Sequence, residues 1–221
     1  MASPYVPVLD RRTLCSVYRF FDAFMTPVDS RTPPIASPLV VSIPALAWTA
    51  LRVPADATYR FSAPTLMQPA PTGVNLAVSV VSLAGEYVMH SPLLLTLPLP
   101  VSVPPVAADF LRDLSLWPTP SLRPPAGETA VRGRVVSPTA QPVAGLQVEV
   151  WTSGSPTPPL GTPSTWTDGS GEFLYRFPML KATAGQLLPV RIRLQSGLLP
   201  VNPASLSLTT GQAQIILFKR T

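Results

Sequence analysis

Residues 165–177 read Thr165-Trp166-Thr167-Asp168-Gly169-Ser170-Gly171-Glu172-Phe173-Leu174-Tyr175-Arg176-Phe177. An Asp-Gly pair with a second glycine two residues on demands positive φ or a tight reversal, so the middle of the segment is a turn. The aromatic and β-branched residues on either side predict the two strands of a hairpin around it. Upstream, Gln141-Pro142-Val143-Ala144-Gly145 is another turn, and Leu146-Gln147-Val148-Glu149-Val150 alternates apolar and polar residues at the strand period.

The rest of the chain is punctuated in the same manner. Of its 221 residues 30 are proline, which is excluded from helix interiors and central strand positions, so long helices are ruled out and many short strands are expected. A proline-rich chain that was disordered would be poor in aliphatic residues and rich in charge; this one is 46% hydrophobic and only 12% charged, and reads as folded.

The order Gly133-Arg134-Val135, a turn, Pro142-Val143-Ala144-Gly145, an alternating strand, then Thr167-Asp168-Gly169-Ser170-Gly171-Glu172-Phe173 resembles the carboxypeptidase regulatory-like domain, a small β-sandwich related to transthyretin (prealbumin). The resemblance covers about residues 129–221 and implies a scaffold rather than an activity. Two enzymes share such a sandwich, and the chain departs from both. The transthyretin-related hydroxyisourate hydrolase carries several histidines and a Tyr-Arg-Gly-Ser tail, and the intradiol dioxygenases hold iron with two tyrosines and two histidines. Here the sequence given ends Phe218-Lys219-Arg220-Thr221 and His90 is its one histidine.

The first half mirrors the second. Pro34-Ile35-Ala36-Ser37 followed by Leu39-Val40-Val41-Ser42-Ile43 parallels Pro142 to Val150, and Thr58-Tyr59-Arg60-Phe61 parallels Leu174-Tyr175-Arg176-Phe177. Trp48 and Trp166 precede these in turn. Alternating runs then follow at Val74 to Val80 and Val190 to Leu194, and leucine-rich runs close each half at Leu93 to Leu99 and Leu206 to Leu208. The fold expected is therefore all-β, with two tandem Ig/transthyretin-like β-sandwiches. An extended arm occupies residues 1–11, the first sandwich 12–100, a proline-rich linker 101–126, and the regulatory-like sandwich 127–221. Within the linker, Phe110, Leu111, Leu114 and Trp117 stand at helical spacing, which predicts one short helix over 106–117, ending before Pro118.

Absences decide the chemistry. One histidine and one cysteine, Cys15, do not make a Cys/His zinc site or an internal disulfide, and His90 lies in no nucleophile-elbow pattern. Asp168 and Glu172 fall short of the oxygen ligands of a calcium loop and read as turn residues. No catalytic residue, metal or cofactor is expected. The net charge of +5 comes from dispersed arginines without a basic run, so nucleic acid is not an expected partner. The uncharged runs are cut by prolines and do not form membrane helices. The first residues lack the pattern of a signal peptide, so synthesis in the cytoplasm is expected.

From Thr32 to Ala108 the only charged residues are Arg52, Asp56, Arg60 and Glu86, a scarcity at odds with a freely solvated surface. Along Val74 to Val80 the outward set is Asn75, Ala77 and Ser79, small and uncharged, which suits a covered face. These three, with Phe110, Leu114 and Trp117 of the expected helix, are the candidate interface. The expected role is a non-catalytic structural subunit of a large assembly, most concretely a phage-tail-like or contractile injection particle. In it other subunits cover the first half, and residues 126–221 are monomeric by themselves. The alternative is a carbohydrate- or cell-wall-binding module, a polysaccharide meeting loops around Trp151, Trp166 and Asp168.

Overall fold

The computed structural model describes residues 12–25, 31–64, 74–97, 110–155, 157–159, 162–178, 180, 182–196, 199–200 and 204–219. The arm 1–11 and linker residues 101–109 lie outside them. The strands are β1 (Arg12–Asp22), β2 (Leu39–Ile43), β3 (Trp48–Thr49), β4 (Leu51–Val53), β5 (Thr58–Pro64), β6 (Val74–Ser82), β7 (Tyr87–Val88), β8 (Leu93–Leu97) and β9 (Leu111–Pro118). They continue with β10 (Thr129–Val136), β11 (Gln147–Thr152), β12 (Ser164–Trp166), β13 (Glu172–Phe177), β14 (Leu187–Ser196), β15 (Leu199–Pro200), β16 (Ala204–Thr209) and β17 (Ala213–Lys219). A 3-10 turn, Pro44–Leu46, separates β2 from β3.

The described residues form two compact units, neither of them one continuous segment. The first takes those up to Phe20, from Pro34 to Val81 and from Ser91 to Leu114; the second takes those of Phe21–Pro33, Ser82–His90 and Ser115–Thr221. In the first, β2 buries Leu39, Val41 and Ile43 at every second position, while Tyr18 and Phe20 of β1 and Tyr59 and Phe61 of β5 supply the aromatic half of the core. The Phe20 and Tyr59 rings meet edge to face at 5.5 Å and Tyr18 meets Phe61 at 6.0 Å, a geometry that adds to the burial of their area. In the second, Val131, Val135, Phe173 and Tyr175 from β10 and β13 face Val148, Val150, Val190, Ile192 and Leu208 from β11, β14 and β16, so two sheets close on one core.

In strand order the two halves correspond over seven strands each, with β4, β7 and β15 outside the correspondence. One sheet runs β3-β2-β6-β8 in the first half and β12-β11-β14-β16 in the second; the other places β5-β1-β9 where the second half has β13-β10-β17. The mirrored sequences fall on equivalent strands, Trp48 on β3 and Trp166 on β12, each Tyr-Arg-Phe on β5 and β13.

Two expectations are corrected. Residues 111–118 are the strand β9 and not a helix: Leu116 is fully buried, and Trp117 and Pro118 pair with Val88 and Tyr87. Apolar residues at 111, 114 and 117 fit a helical stripe, but those at 114, 116 and 118 fit a strand equally well, and pairing with a neighbour settles the choice. The segment 165–177 is not a hairpin either. β12 pairs with β11 and β13 pairs with β10, so the turn between them carries the chain from one sheet to the other. Its entry is held by reciprocal bonds of Thr167 and Leu146, Leu146 N donating to Thr167 Oγ1 and Thr167 N to Leu146 O, both at 2.9 Å.

Candidate functional site

From the charge-poor stretch of the first half, β2, β3, β6 and β8 form one sheet. On β6, Leu76 and Val78 are buried, Asn75 and Ala77 are exposed and Ser79 is half-buried, the alternation expected for a strand with one covered side. Asn75 stands opposite Thr96 and Ala77 opposite Leu94 of β8, and Leu94 is 54% exposed. None of the residues of β2, β6 and β8 is ionisable. Described charged residues of this unit stand on its other sheet and in the turn before β5: Arg19 donates to both oxygens of Asp113 at 2.8 Å, and Arg60 pairs with Asp56 at 2.5 Å. There Phe110 helps line a groove of about 290 Å³ with Leu14, Val17 and Leu111. The interface candidates Asn75, Ala77 and Ser79 are thus together on one strand, while Phe110, Leu114 and Trp117 do not share a helical face: Phe110 and Leu114 belong to the first unit and Trp117 to the second.

In the second unit the loop candidates separate. Trp151 is 3% exposed; its Nε1 donates to Ser155 O at 3.0 Å and the Arg193 guanidinium lies 5.8 Å from its ring, so it is a packing residue and not a platform. Asp168 Oδ1 accepts from the backbone N–H of Ser170 at 2.8 Å and of Glu172 at 2.9 Å, which commits it to the turn. Trp166 is the half-buried one, and it has company that the sequence did not announce. His90 lies 4.2 Å from it and Trp117 lies 5.6 Å from it, ring centroid to centroid, with Trp117 and Trp166 edge to face. His90 closes the trio 5.3 Å from Trp117. Partial shielding from water beside the rings lowers the His90 pKa, although the residue stays exposed on its other side.

The polar centre of the same unit is Arg176, 7% exposed, on a strand that otherwise buries apolar side chains. Its Nε and Nη2 donate to the two oxygens of Glu128 at 2.6 and 2.7 Å, and its Nη1 donates to Asp22. Asp22 also accepts from Phe24 N at 2.9 Å through Oδ1 and from the Tyr87 hydroxyl at 3.3 Å through Oδ2. Burial pushes the Asp22 carboxyl up against the pull of Arg176; burial and the neighbouring carboxylate hold the Tyr87 phenol well above its ordinary value. Phe24, two residues on from Asp22, packs edge to face on Tyr175 at 4.7 Å. The buried acid is spent on these bonds, so the network is a fastening rather than acid–base machinery. Among the described residues, no three of His, Cys, Asp and Glu stand where they could share a metal ion.

No protein-family model matches the chain, and no curated protein matches it. Solved structures align with the chain only weakly. The dioxygenase domain of a dioxygenase carbohydrate-binding protein fusion from Streptomyces sp. SirexAA-E is 16% identical over 43% of this chain and 80% of that one, with a TM-score of 0.33. The 3-chlorocatechol 1,2-dioxygenase of Rhodococcus opacus 1CP is 15% identical over 39% of this chain and 43% of that one, with a TM-score of 0.24. A point mutant of the shaft pilin spaA of Lactobacillus rhamnosus GG is 11% identical over 95% of this chain and 98% of that one, with a TM-score of 0.30. Likenesses this distant assign the chain neither a family nor an activity.

Proposed function

We propose that the chain is a non-catalytic structural subunit whose first unit is covered by neighbouring subunits through the outward side of β6 and β8. The observation that carries this reading is the surface around Asn75, Ala77 and Leu94: it is exposed on the isolated chain and belongs to strands without a single ionisable residue. A surface kept in water is roughly a quarter to a third charged, and a strand face without charge invites lateral association. The most concrete form of such an assembly is a phage-tail-like or contractile injection particle, built on a regulatory-like sandwich over residues 129–221. Purification of the native protein without denaturant tests this: it should sediment with a very large particle, and recovery solely as a free monomer would count against it.

A second reading is favoured by the aromatic trio. Half-buried Trp166 and Trp117 with His90 make an apolar rim of the kind that stacks against sugar rings, and a polysaccharide would be its partner. In a pull-down on insoluble polysaccharide, Trp166→Ala should then release the protein, whereas substitution of the buried Trp151 should act only through stability. Retention unchanged by Trp166→Ala removes this reading.

A further inference from the structure

β17 stands at the end of its sheet, paired in parallel with β10 on one side and with no described strand on the other. It is seven residues long, without proline and without a bulge, and its sequence Ala213-Gln214-Ile215-Ile216-Leu217-Phe218-Lys219 is apolar on both sides. On the outer side Ile215 is 84% and Leu217 68% exposed. On the inner side Ile216 and Phe218 pack against the core and yet stay half-buried, Phe218 lying 6.0 Å from the Phe173 ring. Sheet edges are ordinarily blunted by charges pointing inward, by proline or by a bulge, and β17 has only the lysine at its end.

The surroundings select the partner. In the pairing register Arg132 lies beside Ile215 and Arg134 beside Leu217, and Lys219 follows at the strand's end. Arg134 and Lys219 are exposed, and Arg132 is half-buried with its Nη2 donating to Leu122 O at 3.0 Å. On the three strands of this sheet the one acid is Glu172, beside Arg134 on β13, so the balance is positive. We propose that β17 is a docking edge for an extended segment of another protein, which adds as a further strand with apolar residues over Ile215, Leu217, Ile216 and Phe218 and acidic residues near Arg134 and Lys219. A second copy of this chain would bring the same lysine and the same net charge of +5, which disfavours it as the occupant. The edge belongs to the second unit, so the inference does not rest on the β6 surface.

The test uses the full chain and a fluorescent peptide of the length of β17 that alternates valine and threonine, with glutamate at both ends. Binding is followed by anisotropy, and amide hydrogen exchange is followed over residues 213–219. The acidic peptide should bind and slow exchange there, the same peptide ending in lysines should bind at least about tenfold more weakly, and added salt should narrow the gap. Arg134→Glu with Lys219→Glu, both exposed and remote from the core, should reverse the preference, and Ile215→Lys should weaken both peptides. Equal binding of the two peptides, or unchanged exchange at 213–219, would overturn the proposal. So would protection of this strand that grows with protein concentration alone, which would make the occupant a second copy.

Discussion

Arg176 donates through Nη1 to Asp22, a residue 154 positions earlier in the chain, and both are buried. Breaking a buried pair leaves an uncompensated charge, so Arg176→Met, which strands both Asp22 and Glu128, should cost about 3–5 kcal/mol of unfolding free energy. Asp22→Asn keeps the Glu128 fork and should cost less, about 1–3 kcal/mol. Urea denaturation of the two variants measures the order, and an Arg176→Met as stable as the parent would show that the pair is not a fastening.

The same bond bears on where the second unit can be cut. Phe24 packs on Tyr175 and Tyr87 reaches Asp22, so residues 21–25, 31–33 and 82–90 are part of this unit. The fragment 126–221, expected from sequence to be monomeric by itself, lacks them and leaves Tyr175 and Arg176 uncovered. It should unfold at a markedly lower temperature than the full chain and bind a hydrophobic dye. Calorimetry of the fragment checks this; a melting transition equal to that of the full chain would contradict it.

Gly145 and Gly171 have nearly the same backbone, φ 71° and 73°, in different surroundings. A Cβ on Gly145 would meet nothing within 4 Å, while one on Gly171 would lie 2.5 Å from Val135 O. Gly145→Ala should cost only the left-handed penalty, about 1–2 kcal/mol. Gly171→Ala should cost clearly more, because a backbone atom of β10 must move, and equal losses on denaturation would mean that the turn relaxes freely.

His90 is the one histidine, and partial shielding from water beside Trp117 and Trp166 lowers its pKa. The folded state therefore resists protonation, while the unfolded chain takes up its proton at the ordinary value of about 6.5. The contribution of the neutral ring is present above that value and is lost as pH falls through the lower folded one. Comparing the parent with His90→Gln across this window isolates the effect: the parent should lose stability more steeply on acidification, and parallel curves would show that the ring is not held in its neutral form.

Much of the fold could be read from particular residues. Leu76 and Val78 alternate with Asn75 and Ala77 as strictly as a strand with one buried side requires, and the structure places them so. The mirrored Tyr-Arg-Phe motifs mark equivalent strands, yet their arginines differ: Arg60 takes the local Asp56, four residues before it, while Arg176 passes over Glu172 at the same spacing for the distant Asp22 and Glu128. Local spacing carries no information on such a choice. Trp151 and Trp166 look alike in sequence, each beside a turn; Arg193 and Ser155 cover the first, and only tertiary packing tells them apart. β9 was hidden because its apolar residues satisfy two periods at once.

The most direct measurement of the central claim is sedimentation of the full chain against Ala77→Glu and Leu94→Glu, which place charge on the β6 and β8 surface without touching the core. The parent should associate as concentration rises, and each variant should stay monomeric with unchanged circular dichroism. A parent that remains monomeric throughout, or variants that associate as it does, would contradict the claim that neighbouring subunits cover this surface.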